Sequence, residues 1–192
     1  MEDDAKNYVN NIPSLFTEEI YKSINNLSEV IFKMWGSNNG RLFVVGNGGS
    51  SANASHFAND LTYGIAINSH KVERYTRGID VQCLSSDSSV LTCLANDIGY
   101  ENIFSYQVMA KAHKDDLLVC LSGSGNSQNI LNALTASNKI GCISFALLGY
   151  DGGKAKSMCT HPIHFECNDM QQTEDCHLIA CHLISKKLRS MA

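Results

Sequence analysis

The sequence has few of the features that mark a membrane, secreted or nucleic-acid-binding protein. It contains no apolar run approaching the roughly 18 residues that a transmembrane helix needs. Its first residues, Met1-Glu2-Asp3-Asp4, are acidic, whereas a signal peptide starts basic and continues apolar. The chain carries 15 Lys and Arg residues against 19 Asp and Glu residues, a net charge of −4. That balance argues against non-specific binding to nucleic acid.

Proline is scarce, and cysteine does not follow the pattern of a disulfide or zinc framework. Two prolines, Pro13 and Pro162, occur among 192 residues, without a low-complexity linker or repeat, which is typical of a single domain. None of the 8 cysteines forms a C-x-x-C pair. Several lie in apolar runs, where cysteine behaves as a small hydrophobe: Cys83, Cys93, Cys120, Cys142, Cys176 and Cys181. We therefore expect a reduced, cytoplasmic protein with free thiols and no membrane partner.

Segments typical of helices and strands alternate along the chain. Apolar residues every three or four positions, Ile20, Ile24, Leu27, Ile31 and Trp35, predict an amphipathic helix over 14–36. The remaining pattern predicts strands over 42–45, 81–84, 116–121, 142–148 and 161–165, and helices over 51–63, 87–96, 101–112, 127–138, 152–159 and 170–190. This alternation predicts an α/β fold with a parallel sheet. A helical arm, residues 1–36, would precede the domain at 37–192.

Three predicted turns at strand ends are rich in Gly, Ser, Asn or Asp, and ligands of parallel sheets bind beyond the carboxyl ends of the strands. The first turn, residues 46–51, reads Gly-Asn-Gly-Gly-Ser-Ser. Its glycines allow close approach of a ligand, and the free N–H groups where the next helix begins attract anions. The spacing differs from dinucleotide and Walker loops, and a plain tight turn is the alternative interpretation.

The turn at 122–127 reads Ser-Gly-Ser-Gly-Asn-Ser and carries three hydroxyls at the predicted start of a helix. Hydroxyls and backbone N–H groups together can bind a phosphate without Lys or Arg. An ordinary helix cap is the alternative, but a cap needs one serine only. Two such turns in one small sheet favour a ligand that carries a phosphate.

Titratable side chains recur at helical spacing in two other segments. His56 and Asp60 are four residues apart and share a helix face, as in helix-borne metal sites or in a surface hydrogen-bonded pair. On the last helix, Glu174 and His182 lie about two turns apart, rotated by roughly 80°, and could converge on one ligand. The Asn-Asp pair at 96–97 ends a helix. Its spacing does not separate a plain turn from a contact with substrate hydroxyls.

The chain resembles the phosphoheptose isomerases, the sedoheptulose 7-phosphate isomerases among the SIS-domain proteins. The resemblance covers nearly the whole chain and is most specific in these segments: 46–50, 54–58, 95–100, 122–127, 149–153 and 174–177. It implies a five-stranded parallel sheet flanked by helices, and a homotetramer with active sites between subunits, in which we expect the N-terminal arm to take part. It also implies conversion of the sugar phosphate D-sedoheptulose 7-phosphate to D-glycero-D-manno-heptose 7-phosphate, through an enediol with metal assistance.

The resemblance further implies a role for each matching position. Zn²⁺ would be bound by His56, Asp60, Glu174 and His182, and Asp60 and His182 would exchange protons with the sugar as base and acid. Residues 122, 123, 124 and 127 would hold the phosphate. The complete set expected to contact substrate is Asn47, Gly48, Gly49, Asp60, Asn96, Asp97, Ser122, Gly123, Ser124, Ser127 and Glu174.

Two positions depart from the family pattern, which commonly has Glu at the position of Asp60 and Gln at that of Glu174. Asp is one methylene shorter than Glu, which moves the carboxylate back by roughly 1.5 Å. A carboxylate at position 174 adds a negative charge, which should strengthen cation binding. These departures leave open an isomerase for a different sugar phosphate.

A non-catalytic SIS adaptor that binds a protein such as a replication initiator is the alternative from another class. By resemblance, that adaptor lacks an acidic residue at the position of Asp60 and a histidine at that of His182, and both are present here. A sugar-phosphate sensor would carry a separate DNA-binding domain, for which the N-terminal arm is too short. The residues therefore favour an enzyme.

Overall fold

Five parallel strands form one sheet in the order β2-β1-β3-β4-β5. The structure, a computed structural model, describes residues 2–37, 40–65 and 78–191. The strands are β1 Leu42–Gly46, β2 Val81–Cys83, β3 Leu117–Ser122, β4 Ile143–Leu148 and β5 His161–His164. Each predicted strand is found with nearly the predicted bounds. The predicted α/β class with a five-stranded parallel sheet is therefore confirmed.

The predicted helices are found in the predicted order, with ends that differ by up to four residues. They are α1 Glu2–Asn11, α2 Glu18–Ser37, α3 Gly48–Asn59, α4 Ser88–Ile98, α5 Ile103–Lys111, α6 Gln128–Ile140, α7 Ala155–Met158 and α8 Met170–Met191. The helix predicted from residue 14 starts only at Glu18, because a 3₁₀ turn with Pro13 in its first turn occupies Ile12–Leu15. Thr17 Oγ1 then accepts a hydrogen bond from the Ile20 N–H at 3.3 Å, as an N-cap does.

Helices cover both faces of the sheet with two separate cores. α2, α3 and α8 pack on one face, and α5 and α6 on the other. The apolar stripe of α2 is buried in the first of these cores, so the helix packs against the sheet of its own chain. Burial of apolar side chains on both faces explains why β1 and β3 lack polar alternation. The division of the chain at residue 36 stays a prediction.

The order of the strands creates a crevice at one edge of the sheet. β1 pairs with β2 on one side and with β3 on the other. The loops after β1 and β3 therefore lead to helices on opposite faces, which opens the space between them to a ligand. Gly46 is aligned with Leu121 at this edge. The two turns singled out in the sequence, 46–51 and 122–127, are thus neighbours.

The cysteines show no disulfide framework. All 8 lie within the described residues, and none of them is paired. Most are buried, but Cys93 is exposed, so its prediction as a small buried hydrophobe is wrong. α4 has no buried residue, and the Cys93 thiol donates to the Asp97 carboxylate at 3.5 Å. None of the helices in the described part of the chain has the length and apolar character that crossing a bilayer requires.

His177 is fully buried where α8 packs on the sheet, with its ring 5.8 Å from that of Phe165. Neither ring nitrogen reaches hydrogen-bond geometry with any described residue. Burial lowers the pKa of His177 to about 4, and only the nearby Leu148 backbone opposes this shift. The side chain is therefore neutral at physiological pH.

Acid should destabilise the fold through His177. Its pKa is 6.5 when unfolded and about 4 when folded, so between these values the unfolded chain binds the extra proton. Its contribution to stability is complete above pH 6.5 and is lost as the pH falls toward 4, by about 3 kcal/mol. Urea unfolding between pH 7 and pH 4 measures how the free energy of unfolding falls with pH. This fall should be smaller for His177→Gln than for the wild type, and equal to that of the wild type for the exposed His113→Gln. Equal declines in wild type and His177→Gln would contradict the buried neutral histidine.

Candidate active site

The turn between β1 and α3 exposes the start of a helix to the crevice. Gly48 has φ +55, a value that favours glycine. Asn47 occupies the N-cap position with extended backbone, but its side chain does not cap α3. The side chain instead exchanges two hydrogen bonds with Asn129, at 2.8 and 2.9 Å, and accepts one from the Tyr100 hydroxyl at 3.0 Å. Asn47 thus leaves the first N–H groups of α3 without a side-chain cap.

The serine turn between β3 and α6 lies at the same edge of the sheet, and two of its hydroxyls accept hydrogen bonds from the turn's own backbone. Ser122 Oγ accepts a hydrogen bond from the Gly125 N–H, and Ser124 Oγ accepts one from the Asn126 N–H, both at 3.2 Å. Each hydroxyl therefore keeps its own proton to donate. Ser127 occupies the N-cap of α6 without capping it through its side chain. Hydroxyls and N–H groups of this kind suit an anion.

Residues 149–155 are hydrogen-bonded to the backbone of the serine turn. The Gly149 N–H donates to the Gly123 carbonyl, and the Ala155 N–H donates to the Gly125 carbonyl, both at 2.9 Å. Gly125 has φ +62, and a Cβ added there would collide with the carbonyl oxygen of Gly152. These backbone contacts therefore preorganise the turn.

Three potential metal ligands meet where α3 packs against α8. Ligand atoms of His56, Asp60 and His182 all lie within 4.8 Å of one another. The two histidine Nε2 atoms are 3.4 Å apart, and His56 Nε2 is 3.8 Å from Asp60 Oδ1. A π-helical turn, Asp60–Gly64, begins at the carboxylate and continues α3. Such wide turns are frequent at functional sites.

This group fits a transition-metal ion. Two nitrogens bound tetrahedrally at about 2.1 Å from Zn²⁺ lie about 3.4 Å apart, which matches the separation of the two histidines. Two histidines and one carboxylate leave a fourth position for water or substrate, the arrangement of catalytic zinc sites. Both histidines are exposed in the single chain. The group is therefore a possible metal site, and it is accessible to substrate.

Glu174 lies apart from that group. Its carboxylate lies against Gly49, where an added Cβ would collide with Oε2, and its carbonyl accepts a hydrogen bond from Asn53 Nδ2 at 2.9 Å. Eight helical residues separate Glu174 from His182, a rise of about 12 Å. Within one chain, Glu174 therefore faces the start of α3, and the His-Asp-His group lies further along the same pair of helices.

Asn96 and Asp97 are exposed on the last turn of α4. Asn96 Nδ2 donates to Asp97 Oδ1 at 2.8 Å, and Gly99 with φ +87 ends the helix. The following residue, Tyr100, reaches Asn47 in the crevice. This turn therefore borders the site.

Sequence reasoning missed two residues of the crevice, Asn129 and Tyr100. Asn129 follows the serine turn by two residues, a position where a polar side chain usually faces water. It is instead 2% exposed, and a buried amide needs partners. The available signal was an asparagine close to the predicted phosphate-binding turn, which the helix pattern explained equally well.

The comparisons with known proteins agree with this geometry. A family model of the SIS domain matches residues 6–149. The phosphoheptose isomerase of Aliarcobacter butzleri is 40% identical over 147 residues, covering 77% of this chain and 74% of the relative. That of Geotalea daltonii is 39% identical over 155 residues, covering 79% and 77%. The chain belongs to the phosphoheptose isomerases of the SIS-domain family.

A solved structure extends the comparison to the whole phosphoheptose isomerase fold. Phosphoheptose isomerase GmhA from Neisseria gonorrhoeae has a TM-score of 0.84 and 26% identity, and the match covers 98% of each chain. The predicted family is therefore confirmed, and with it a sugar-phosphate isomerase. The adaptor alternative is not favoured, because the relatives are isomerases by name.

Proposed function

We propose that this phosphoheptose isomerase converts D-sedoheptulose 7-phosphate to D-glycero-D-manno-heptose 7-phosphate. The observation that carries the proposal is the meeting of Asp60 with His56 and His182, which combines a proton acceptor with imidazoles that can donate a proton or bind a metal. The serine turn at 122–127 supplies the phosphate site, and its remote binding energy orients the sugar. Asn47, Asn96 and Asp97 would contact the sugar hydroxyls.

The reaction moves one carbon-bound proton between neighbouring carbons of the sugar. Asp60 removes a proton from C1 while His182 gives a proton to the carbonyl oxygen on C2, which leaves an enediol. Asp60 then returns its proton to C2, and His182 removes the proton from the hydroxyl on C1. The ketose thereby becomes the aldose, and both residues recover their starting protonation. Their ligand atoms lie within 4.8 Å of each other, so both can contact neighbouring atoms of one sugar.

Zn²⁺ is the proposed metal, held by His56, Asp60 and His182. When bound, it would supply Lewis-acid polarisation of the sugar oxygens. Asp60 keeps a second carboxylate oxygen for proton transfer when one is bound to a metal. His182 Nε2, in contrast, cannot hold an ion and donate a proton at the same time. Removing the metal therefore tests which of its two roles matters.

Chelation should lower the turnover of sedoheptulose 7-phosphate by about 100-fold, and added Zn²⁺ should restore it. The assay follows aldose formation in protein with its metal content measured before and after chelation. Full activity in metal-free protein would contradict the metal and leave His182 as the acid. Absence of turnover in both states would contradict the substrate, and a panel of other ketose phosphates would then identify it.

A homotetramer with sites between subunits completes the proposal. His56 and His182 are exposed in a single chain, whereas proton transfer gains from exclusion of water. A second subunit would cover this group and could bring its own Glu174 to it, which the 12 Å helical rise (about eight residues) prevents within one chain. Unpaired cysteines support a reducing compartment such as the cytoplasm. Light scattering after size exclusion would measure the mass of the assembly.

A further inference from the structure

Three side chains from three different segments of the chain are joined by hydrogen bonds in the crevice. Asn47 Nδ2 donates to Asn129 Oδ1 at 2.8 Å, and Asn129 Nδ2 donates back to Asn47 Oδ1 at 2.9 Å. The Tyr100 hydroxyl donates to the same Asn47 oxygen at 3.0 Å. We call Asn47, Asn129 and Tyr100 the amide clamp. It ties the β1–α3 turn to the first turn of α6 and to the turn after α4.

The clamp fixes what Asn47 can still offer a ligand. An amide oxygen accepts two hydrogen bonds, and an amide nitrogen donates two. The Asn47 oxygen accepts from Asn129 and from Tyr100, which fills both of its positions. One of the two N–H groups of Asn47 donates to the Asn129 oxygen. One N–H group of Asn47 remains. Asn47 can therefore bind a sugar oxygen only as a donor.

The clamp also keeps Asn47 from capping α3. An asparagine at the N-cap normally turns its oxygen toward the second or third N–H of the helix. Asn47 has the N-cap backbone conformation but makes no such bond, because its oxygen is held by the clamp. The first turn of α3 therefore receives no cap from Asn47, and the Glu174 carboxylate lies beside it against Gly49.

Resting on the proposed function, we propose that Asn129 and Tyr100 are positioning residues that act on substrate through Asn47. They hold its amide as a donor to the sugar and prevent it from capping α3. Asn129 is 2% exposed and lies two residues after Ser127, the last residue of the proposed phosphate-binding turn. Its position links the phosphate end of the site to the sugar end.

A double-mutant cycle separates positioning from a general structural role. Asn129→Ala and Asn47→Ala should each lower kcat/KM by about tenfold or more, since each removes the oriented donor. The double variant should be no worse than Asn47→Ala, within about twofold, because Asn129 then has nothing left to position. A double variant whose loss is the product of the single losses would overturn the proposal.

Two further variants sharpen the cycle. Tyr100→Phe removes one hydroxyl and should lower kcat/KM by about threefold, an effect that disappears in the Asn47→Ala background. Asn132→Ala is the matched control on α6, since Asn132 bonds the Glu101 carbonyl and the Asn102 side chain but not Asn47. Any fold-loss in kcat/KM caused by Asn132→Ala should be the same in the wild-type and Asn47→Ala backgrounds. A Tyr100→Phe effect that persists without Asn47 would contradict the clamp.

A crystal structure of the double variant Asn129→Ala/Tyr100→Phe tests the clamp without any assay. Released from both partners, the Asn47 side chain should turn to cap α3, with its oxygen on an N–H group of the first turn. An unchanged Asn47 side chain would overturn the proposal. Failure of the proposed function has a different signature, namely a wild-type enzyme that does not turn over sedoheptulose 7-phosphate. In that case the cycle is measured on the phosphosugar that the wild type does isomerise.

Discussion

Replacing His182 with alanine should abolish turnover while leaving the affinity for the sugar phosphate largely unchanged. His182 Nε2 lies 3.4 Å from His56 Nε2 and within 4.8 Å of the Asp60 carboxylate. Whether this nitrogen donates a proton or binds a metal, its loss removes stabilisation that the reaction needs only in the transition state. We expect kcat to fall by at least about 1,000-fold. The proposed phosphate site at 122–127 lies on another part of the fold and should stay intact.

Binding and turnover are measured separately in this experiment. Calorimetry with sedoheptulose 7-phosphate reports affinity, and the isomerase assay reports kcat. His113→Ala is the matched control, because His113 is an exposed histidine whose recorded hydrogen bonds involve its backbone. Near-normal turnover in His182→Ala would remove His182 from the catalytic group. A loss of affinity equal to the loss of turnover would show that it serves binding instead.

Replacing Gly125 with alanine should disrupt the phosphate turn and destabilise the protein. Gly125 has φ +62, and an added Cβ would collide with the Gly152 carbonyl oxygen. The left-handed backbone and the overpacking together cost about 2–5 kcal/mol. If the turn relieves this strain by moving, Ser122 and Ser124 lose their arrangement. We therefore also expect KM to rise by about tenfold or more.

Gly141→Ala supplies a control with the same backbone problem and no collision. Gly141 has φ +88 at the end of α6, and its added Cβ would have only the Lys114 Cβ nearby, at 3.9 Å. It should lower the free energy of unfolding by about 1–2 kcal/mol and leave KM unchanged. Urea unfolding and steady-state kinetics of both variants check the prediction. Equal losses at the two glycines would mean that the segment 149–153 does not constrain the turn.

The fold was predictable from local sequence pattern because the apolar pattern of each element indicates which of its faces are buried. Strands such as 117–122 are apolar on both faces, which occurs where helices cover both sides of a parallel sheet. The start of α2 was predicted too early, because apolar spacing continues through Leu15 and Phe16 into the helix. Pro13 and the Thr17 cap decide that boundary, and helix ends are set by such local bonds.

The site was predictable only where its residues are close in sequence. His56 and Asp60 share a face because of their spacing, but their meeting with His182 depends on the packing of α3 against α8. Spacing suggested that Glu174 and His182, about two turns apart, could converge, but within one chain the rise of about 12 Å separates them. The contact of the Glu174 carboxylate with Gly49 arises between segments far apart in the chain, and no local pattern encodes it.

The two covered faces of the sheet carry different parts of the proposed site. His56, Asp60 and His182 belong to helices and their extension on one face, whereas Ser127 and Asn129 belong to α6 on the other. Substitutions at such separated places act nearly independently. The amide clamp is the hydrogen-bonded link between the two faces. Laboratory evolution should therefore be able to alter the proposed phosphate turn on the α6 face while His56, Asp60 and His182 stay unchanged.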